Sequence, residues 1–112
     1  MKRISFGLTL EQFEAGTKDV TRRLGWQTLQ SGEHLLAVDR VMGFRPGQSA
    51  RVLGEIEVLS VRREQLDQIT DADVAREGFP GRDRAWFVDM FTTAQRCQPE
   101  QLVTRIEFRK VT

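Results

Sequence analysis

Short stretches in which apolar and polar residues alternate lie near the beginning, middle and end of this chain. Ile4 and Phe6 alternate with small or polar neighbours, an apolar run covers residues 34–41, and alternation returns over 51–61 and from Leu102 onward. Alternation with a period of two is typical of half-buried strands, and no regular strand–helix–strand rhythm indicates a parallel sheet. The pattern therefore predicts an α+β domain, built as a small mixed or antiparallel β-barrel or curled sheet with short peripheral helices.

Short helices are predicted between these strands. Thr9 begins a capping-box pattern for a first helix, which Gly16 can end in the left-handed conformation. Helical spacing replaces alternation after Arg63, and Thr70 or Asp71 can cap a second short helix. A third helix begins at Asp83 and carries an apolar stripe that we expect to pack on the sheet: Trp86, Phe87, Met90, Phe91 and Ala94.

The closing strand alternates apolar residues with charged ones. Arg105, Glu107 and Arg109 occupy every second position after Val103. Charged side chains on an outer face discourage pairing with another strand at the edge of a sheet. We therefore expect this strand to lie at an edge and to expose its charged face.

Length and composition limit the classes of protein to which this chain can belong. With 112 residues the chain is long enough for one domain around one core. No apolar run approaches the ~18 residues of a membrane span, and no signal peptide is recognisable, so we expect a cytoplasmic protein without membrane contact. Cys97 is the only cysteine and His34 the only histidine, which excludes a disulfide framework and a Cys/His zinc site within one chain. We expect neither metal nor cofactor.

Residues 16–23, Gly-Thr-Lys-Asp-Val-Thr-Arg-Arg, place an amine, a hydroxyl and two guanidinium groups between apolar segments. The simpler interpretation is a solvated turn that leads into a strand. The same groups are also suited to binding an anion. The net charge of +1 is not that of a protein that coats nucleic acid, so binding of a polyanion would need a local patch. The available cations are Lys18, Arg22, Arg23, Arg40, Arg45 and Arg51.

The order of four motifs resembles the ASCH domain family. They are residues 16–23, Leu29–Glu33 ahead of a strand, Ala75–Phe79, and Val103–Phe108 in the closing strand. The resemblance covers roughly residues 4–111, so the chain would be a single ASCH domain over residues 1–112. It implies a PUA-like β-barrel in a superfamily that is associated with RNA binding and modified nucleosides.

One branch of that family resembles an amidohydrolase that removes the acetyl group from N4-acetylcytidine. It uses a lysine, a threonine three residues later and a glutamate from a later helix, and Lys18, Thr21 and Glu77 match those places. The tandem Arg22-Arg23 departs from that branch, which leaves the substrate open. We expect Lys18 in the irregular segment after the first helix and Thr21 at the entry to a strand, with both side chains converging on Glu77. Alternatively, Lys18 and Glu77 form only a structural ion pair.

Two further interpretations stay open. The chain could be a non-catalytic module that binds RNA or a nucleotide, or an adaptor that uses the Met42–Phe44 loop. The partner of the enzyme would be a small nucleoside, and the partner of the non-catalytic module would be single-stranded RNA. A narrow, deep cleft at Lys18 favours the enzyme, whereas an open basic groove favours the RNA module. The residues expected to bind substrate or RNA are Arg22, Arg23, Trp26, Phe44 and Arg45.

Overall fold

Five strands form one mixed sheet in residues 1–111, the part of the chain that the computed structural model describes. The strands are β1 Arg3–Ser5, β2 Val20–Arg23, β3 His34–Val38, β4 Val52–Gln65 and β5 Leu102–Lys110. The α-helices are α1 Leu10–Ala15, α2 Asp71–Arg76 and α3 Arg84–Gln95, and single 3-10 turns lie at Gly7–Thr9 and Leu66–Gln68.

The sheet has the strand order β1-β3-β4-β5-β2. Only β1 and β3 run parallel, and the other neighbouring strands are antiparallel. The α+β class and the mixed sheet predicted from the sequence are therefore confirmed. The predicted barrel is not confirmed, because β1 and β2 stand at opposite edges and no pairing between them closes the sheet in residues 1–111.

The prediction that the last strand lies at an edge is wrong. Strand β5 pairs with β4 on one side and with β2 on the other. Both of its faces are covered, so Val103 and Arg105 are buried as well as Ile106 and Phe108. Alternation along one strand shows which residues share a face, but it does not show which strands lie beside it.

Two strand boundaries also differ from the predictions. Strand β3 ends at Val38 rather than at residue 41, because Asp39 turns the chain: its backbone N–H and its carboxylate bond the backbone of Arg51. Strand β4 continues to Gln65, where helical spacing was expected, because its last residues pair with the start of β5. Leu66 therefore begins a single 3-10 turn and no α-helix.

The helix ends follow the predicted caps with one exception. The Thr70 hydroxyl accepts a bond from the backbone N–H of Asp73, at 3.1 Å, at the start of α2. Asp83 caps α3 in the same way, and Gly16 ends α1 with a φ of +77°. Thr9 makes no capping bond with its side chain, so the predicted capping box at α1 is not formed.

The buried apolar residues form two clusters rather than the single core that was expected. The first joins α1 to β1, β3, β4 and β5 and contains three contacting rings, those of Phe6, Phe13 and Phe108. The second lies under α2 and α3 and contains Phe87 and Phe91 from the predicted apolar stripe. Among residues 1–111, no helix is long and apolar enough to cross a membrane.

Candidate functional site

The segment that precedes β2 and the end of α2 lie side by side. The backbone N–H of Asp19 donates to the carbonyl of Arg76 at 3.0 Å, which aligns the two segments. Gly78 follows with a φ of +106°, and a Cβ placed on it would lie 2.6 Å from the Cβ of Gln12. Only glycine therefore lets the chain turn here while it stays in contact with α1.

Lys18 and Glu77 meet in this contact. The Lys18 ammonium donates to Glu77 Oε1 at 2.8 Å and to the Glu77 carbonyl oxygen at 3.0 Å. Both residues are buried, with 4% and 2% of their surface exposed. Burial lowers the pKa of Lys18 below its ordinary value of 10.5, an effect that the Glu77 carboxylate opposes and the charges of Arg23 and Arg22 reinforce.

Arg22 holds the other oxygen of the same carboxylate. Its guanidinium donates to Glu77 Oε2 at 3.0 Å and also bonds Glu64 and Asp73, each at 2.6 Å. Burial opposes its charge, but these three carboxylates together raise the pKa of Arg22. Arg22 therefore has its donors committed within the protein, which argues against its predicted role in binding substrate.

Asp73 joins this network to the sheet. It accepts bonds from Arg105 at 2.7 Å and from Arg22 at 2.6 Å. The bond from Arg105 is the largest influence that holds the pKa of Asp73 well below its usual range, and it outweighs burial. Arg105 was predicted to face solvent on the last strand. It is instead buried, and its bonds to Asp73 connect β5 with α2.

Thr21 and Arg23 form a second contact within β2. The Arg23 Nε–H donates to the Thr21 hydroxyl oxygen at 3.0 Å. The guanidinium lies over the Phe6 ring, 5.0 Å from its centroid, and burial lowers the pKa of Arg23 to about 10. No hydrogen bond joins Thr21 to Lys18 within residues 1–111, where the Lys18 ammonium donates to the carboxylate and the carbonyl of Glu77.

These groups line one cavity of about 240 Å³. Its polar lining includes Lys18, Thr21, Arg22, Arg23 and Glu77. Its apolar lining includes Phe6, Leu8, Phe79, Met90 and Phe91. The cavity thus combines a charged part with a hydrocarbon part, and all three residues of the predicted catalytic set contribute to it.

Three residues that were predicted to bind substrate do not line this cavity. Trp26 packs against the first apolar cluster. Phe44 faces the guanidinium of Arg40, 4.8 Å away, in the loop that carries Arg45. Their part in binding substrate or RNA therefore stays a prediction, at a surface other than this cavity.

Other parts of the site could not be recognised from the sequence. Asp73 and Glu64 lie in segments predicted to be helical, where charged residues ordinarily face solvent. Met90 and Phe91 were predicted as core, and they do belong to the apolar stripe of α3, but they also line the cavity. In the described residues, no group of three or more His, Cys, Asp or Glu side chains could hold a metal ion.

Comparison with known proteins gives matches only at the level of structure. A scan of protein-family models and a search of curated proteins found no match to this sequence. An ASCH domain from Lactobacillus crispatus JV V101 is similar over 93% of this chain and 70% of its own, with 18% identity and a TM-score of 0.70. The fold is ASCH-like. A protein of the DUF984 family from Enterococcus faecalis V583 is similar over 90% and 68%, with 16% identity and a TM-score of 0.64.

Within this ASCH-like fold, two of the four motifs that carried the sequence resemblance meet at the cavity. Residues 16–23 supply the amine, the hydroxyl and the two guanidinium groups, and residues 75–79 supply the carboxylate and an aromatic ring. The arrangement brings a hydroxyl, a buried amine and a cation into one partly enclosed space. Those are the groups that an acyl transfer to a hydroxyl requires.

Proposed function

We propose that this protein is an amidohydrolase that removes the acyl group from an acylated nucleoside or nucleobase, such as N4-acetylcytidine. The observation that carries the proposal is the buried contact of Lys18 with Glu77 in a cavity that also contains the hydroxyl of Thr21. The ASCH-like fold supports the class of substrate, because the sequence resemblance associates this family with RNA and modified nucleosides.

Lys18 would act as the base. A threonine hydroxyl is a poor nucleophile unless a neighbouring base takes its proton, and a lysine can do so only when its pKa falls towards neutrality. Burial moves the pKa of Lys18 in that direction. Glu77 would orient the amine, and Arg22 would fix the Glu77 carboxylate from its second oxygen.

The reaction would proceed in two halves. The Thr21 oxygen attacks the acyl carbon while its proton passes to the neutral amine of Lys18 through a bridging water, since no direct bond joins the two side chains. The C–N bond then breaks, and the leaving nitrogen takes up that proton. Water, deprotonated by Lys18, finally hydrolyses the acyl ester on Thr21 to release the acid and restore the hydroxyl.

Arg23 would stabilise the charge that develops during these steps. Its Nε–H already bonds the oxygen that becomes the nucleophile, so the cation favours the deprotonated form of Thr21. The remaining N–H groups of the guanidinium are free to approach the carbonyl oxygen of the substrate. A preorganised cation in a partly dry site is an effective stabiliser of an oxyanion.

Two features favour this function over the alternatives. The cavity of about 240 Å³ is somewhat smaller than the ~300–1,000 Å³ of drug-sized sites, and it suits a base-sized ligand better than an RNA strand. A purely structural ion pair between Lys18 and Glu77 would need neither a threonine hydroxyl nor an additional guanidinium in the same cavity.

The proposal is tested by a screen of acylated nucleosides and nucleobases. Purified protein is incubated with N4-acylated cytidines and cytosines, N6-acylated adenosines and N2-acylated guanosines, and release of the free base or nucleoside is followed by chromatography. We expect hydrolysis of at least one amide by the wild-type chain and none by Lys18→Met or Glu77→Gln. If the wild-type chain cleaves no amide in the panel at any pH from 6 to 10, the proposed function is refuted.

A further inference from the structure

One cation in the cavity is not neutralised by the protein. In residues 1–111, the ion-pair network beside it has three cations against three carboxylates, and all of them are buried except the half-buried Glu64. The cations are Lys18, Arg22 and Arg105, and the carboxylates are Asp73, Glu64 and Glu77. Exposed Arg62 also reaches Glu64. Arg23 makes no ion pair with any described carboxylate, so it adds a positive charge that the protein leaves unmatched.

The free part of Arg23 is its terminal pair of amino groups. Nε donates to the Thr21 hydroxyl oxygen, and the guanidinium lies over the Phe6 ring. Nη1 and Nη2 have no hydrogen-bond partner in the described residues, and Arg23 lines the cavity. Two parallel N–H donors at the end of a guanidinium match the two oxygens of a carboxylate.

The remaining surface of the cavity is largely hydrocarbon. Phe79, Met90 and Phe91 line it together with Leu8, whose side chain is mostly exposed at 75%. A phosphate monoester carries a charge of about −1.5 to −2 at pH 7, more than the single unmatched cation would neutralise in this surrounding. A monoanion with an apolar tail fits both the charge and the lining.

We propose that Arg23 and the apolar residues that share its cavity form a binding site for small aliphatic or aromatic carboxylic acids. The acid is the acyl half of the substrate after hydrolysis. Its carboxylate pairs with Nη1 and Nη2 of Arg23, and its tail packs on Met90 and Phe91. This assignment deepens the proposed function, and it rests on that function only for the identity of the acid as a product.

The site predicts a preference for longer acids. Each methylene group moved from water to the apolar lining contributes ~0.8 kcal/mol, so two additional methylenes correspond to about tenfold tighter binding. Butyrate and benzoate should therefore bind more tightly than acetate. The matched neutral amides, butyramide and benzamide, lack the charge that pairs with Arg23 and should bind at least about tenfold more weakly than the acids.

Binding is measured by titrating acetate, butyrate, benzoate, the two amides and inorganic phosphate into the ¹⁵N-labelled full chain at constant ionic strength. Wild type is compared with Arg23→Met, which keeps a stem over Phe6 but removes the donors. Arg82→Met is the matched control, because the Arg82 guanidinium also lies over a ring, that of Trp86, but outside the cavity. We expect Arg23→Met to weaken butyrate binding at least about tenfold and Arg82→Met to leave it unchanged within about twofold. A dispersed spectrum establishes that each variant is folded.

A second variant covers the case in which Arg23→Met does not fold. Arg23→Lys keeps the charge but replaces the fork with a single ammonium, so it should bind butyrate more weakly than wild type does. Equal binding of butyrate and butyramide, or butyrate binding that is unchanged in the Arg23 variants, would overturn the assignment. Phosphate that displaces butyrate at equal concentration would also overturn it.

The same experiments separate this inference from the proposed function. If acids bind through Arg23 but the chain hydrolyses none of the acylated nucleosides, the acid site is supported and the amidohydrolase function is refuted. Hydrolysis without binding or product inhibition by the matching acid would refute the acid site and leave the amidohydrolase standing.

Discussion

Arg22 Nη1 donates to Glu77 Oε2 at 3.0 Å, while Lys18 donates to Glu77 Oε1 at 2.8 Å. One carboxylate is thus held at both oxygens by two different cations. Because Arg22 is itself held by Glu64 and Asp73, the position of Glu77 depends on residues that do not line the cavity. The orientation of the Lys18 amine is therefore set by the packing of α2 against β2 and β5.

The first prediction concerns the nucleophile. Thr21→Val keeps the shape and the β propensity of the residue but deletes its hydroxyl. We expect hydrolysis to fall by about 10³-fold or more, with the affinity for the product nucleoside unchanged within about twofold. Thr17→Val is the matched control, because the Thr17 hydroxyl bonds only the carbonyl of Gln12 outside the cavity. Undiminished hydrolysis by Thr21→Val would exclude a threonine nucleophile.

The second prediction concerns the titration of Lys18. The chain has only three lysines, Lys2, Lys18 and Lys110, so their ¹³Cε resonances can be assigned by single Lys→Arg substitutions. Burial lowers the pKa of Lys18, so its resonance should titrate below 10.5. Glu77→Gln should lower the pKa of Lys18 further, because the carboxylate favours the charged amine. A Lys18 pKa that rises in Glu77→Gln would contradict the assigned geometry.

The same shift has a consequence for stability. Between the folded-state pKa of Lys18 and 10.5, the unfolded chain binds more protons than the folded chain. The contribution of Lys18 to the free energy of unfolding should therefore rise with pH across that window. Lys18→Met removes this contribution, so the unfolding free energy of wild type minus that of the variant should increase as pH rises towards 10.5.

The third prediction concerns Asp73. Asp73→Asn removes the carboxylate that Arg105 and Arg22 share, and the loss of one partner from a buried ionic network costs about 3–5 kcal/mol of unfolding free energy. The folded-state pKa of Asp73 lies below its ordinary value of 3.8, so its contribution is present above that pH and is lost as pH falls through the lowered pKa. Urea unfolding from pH 7 to pH 2 measures both effects.

Asp89→Asn is the control for this series, because Asp89 lies on the exposed face of α3. It should change the unfolding free energy by no more than about 0.5 kcal/mol. If Asp73→Asn were as stable as Asp89→Asn at pH 7, the network would not hold α2 in place.

The fourth prediction compares two glycines. Gly78 and Gly81 both have positive φ, +106° and +88°, but only Gly78 has a neighbour within 4 Å of an added Cβ. Gly81→Ala should cost about 1–2 kcal/mol for the backbone conformation alone. Gly78→Ala should cost a further ~1–3 kcal/mol, because its Cβ would overlap the Gln12 side chain. Equal losses in denaturant unfolding would mean that the contact with α1 is not tight.

Local patterns predicted the elements that depend on neighbouring residues. Alternation marked the strands, Thr70 and Asp83 marked the starts of α2 and α3, and Gly16 marked the end of α1. These features are determined within a few residues of chain, so a single sequence contains enough information for them. The Lys18–Glu77 contact is of a different kind, because 59 residues separate the two, and it was predicted through the resemblance to the ASCH domain.

The order of the strands and the buried network could not be predicted in the same way. Arg105 has the spacing of a solvent-facing residue, and it is buried only because β2 and α2 cover β5. Its partner Asp73 lies in the first turn of α2, where an acidic residue also suits the helix dipole. Both charges are individually compatible with a surface, and only long-range pairing brings them together.

The last prediction tests the RNA-binding alternative through its dependence on salt. In that alternative, the cations that would meet phosphates are Lys18, Arg22, Arg23 and Arg45. Lys18 is buried on Glu77 and Arg22 is committed to three carboxylates, which leaves Arg23 and Arg45. Each phosphate contact with single-stranded RNA contributes about −0.7 to the slope of log K against log salt, so two contacts give at most about −1.4. A neutral nucleoside should bind with a nearly flat dependence, and titrations at 50–500 mM salt measure both. A tight RNA complex with a slope steeper than about −2 would favour the binding module over the amidohydrolase.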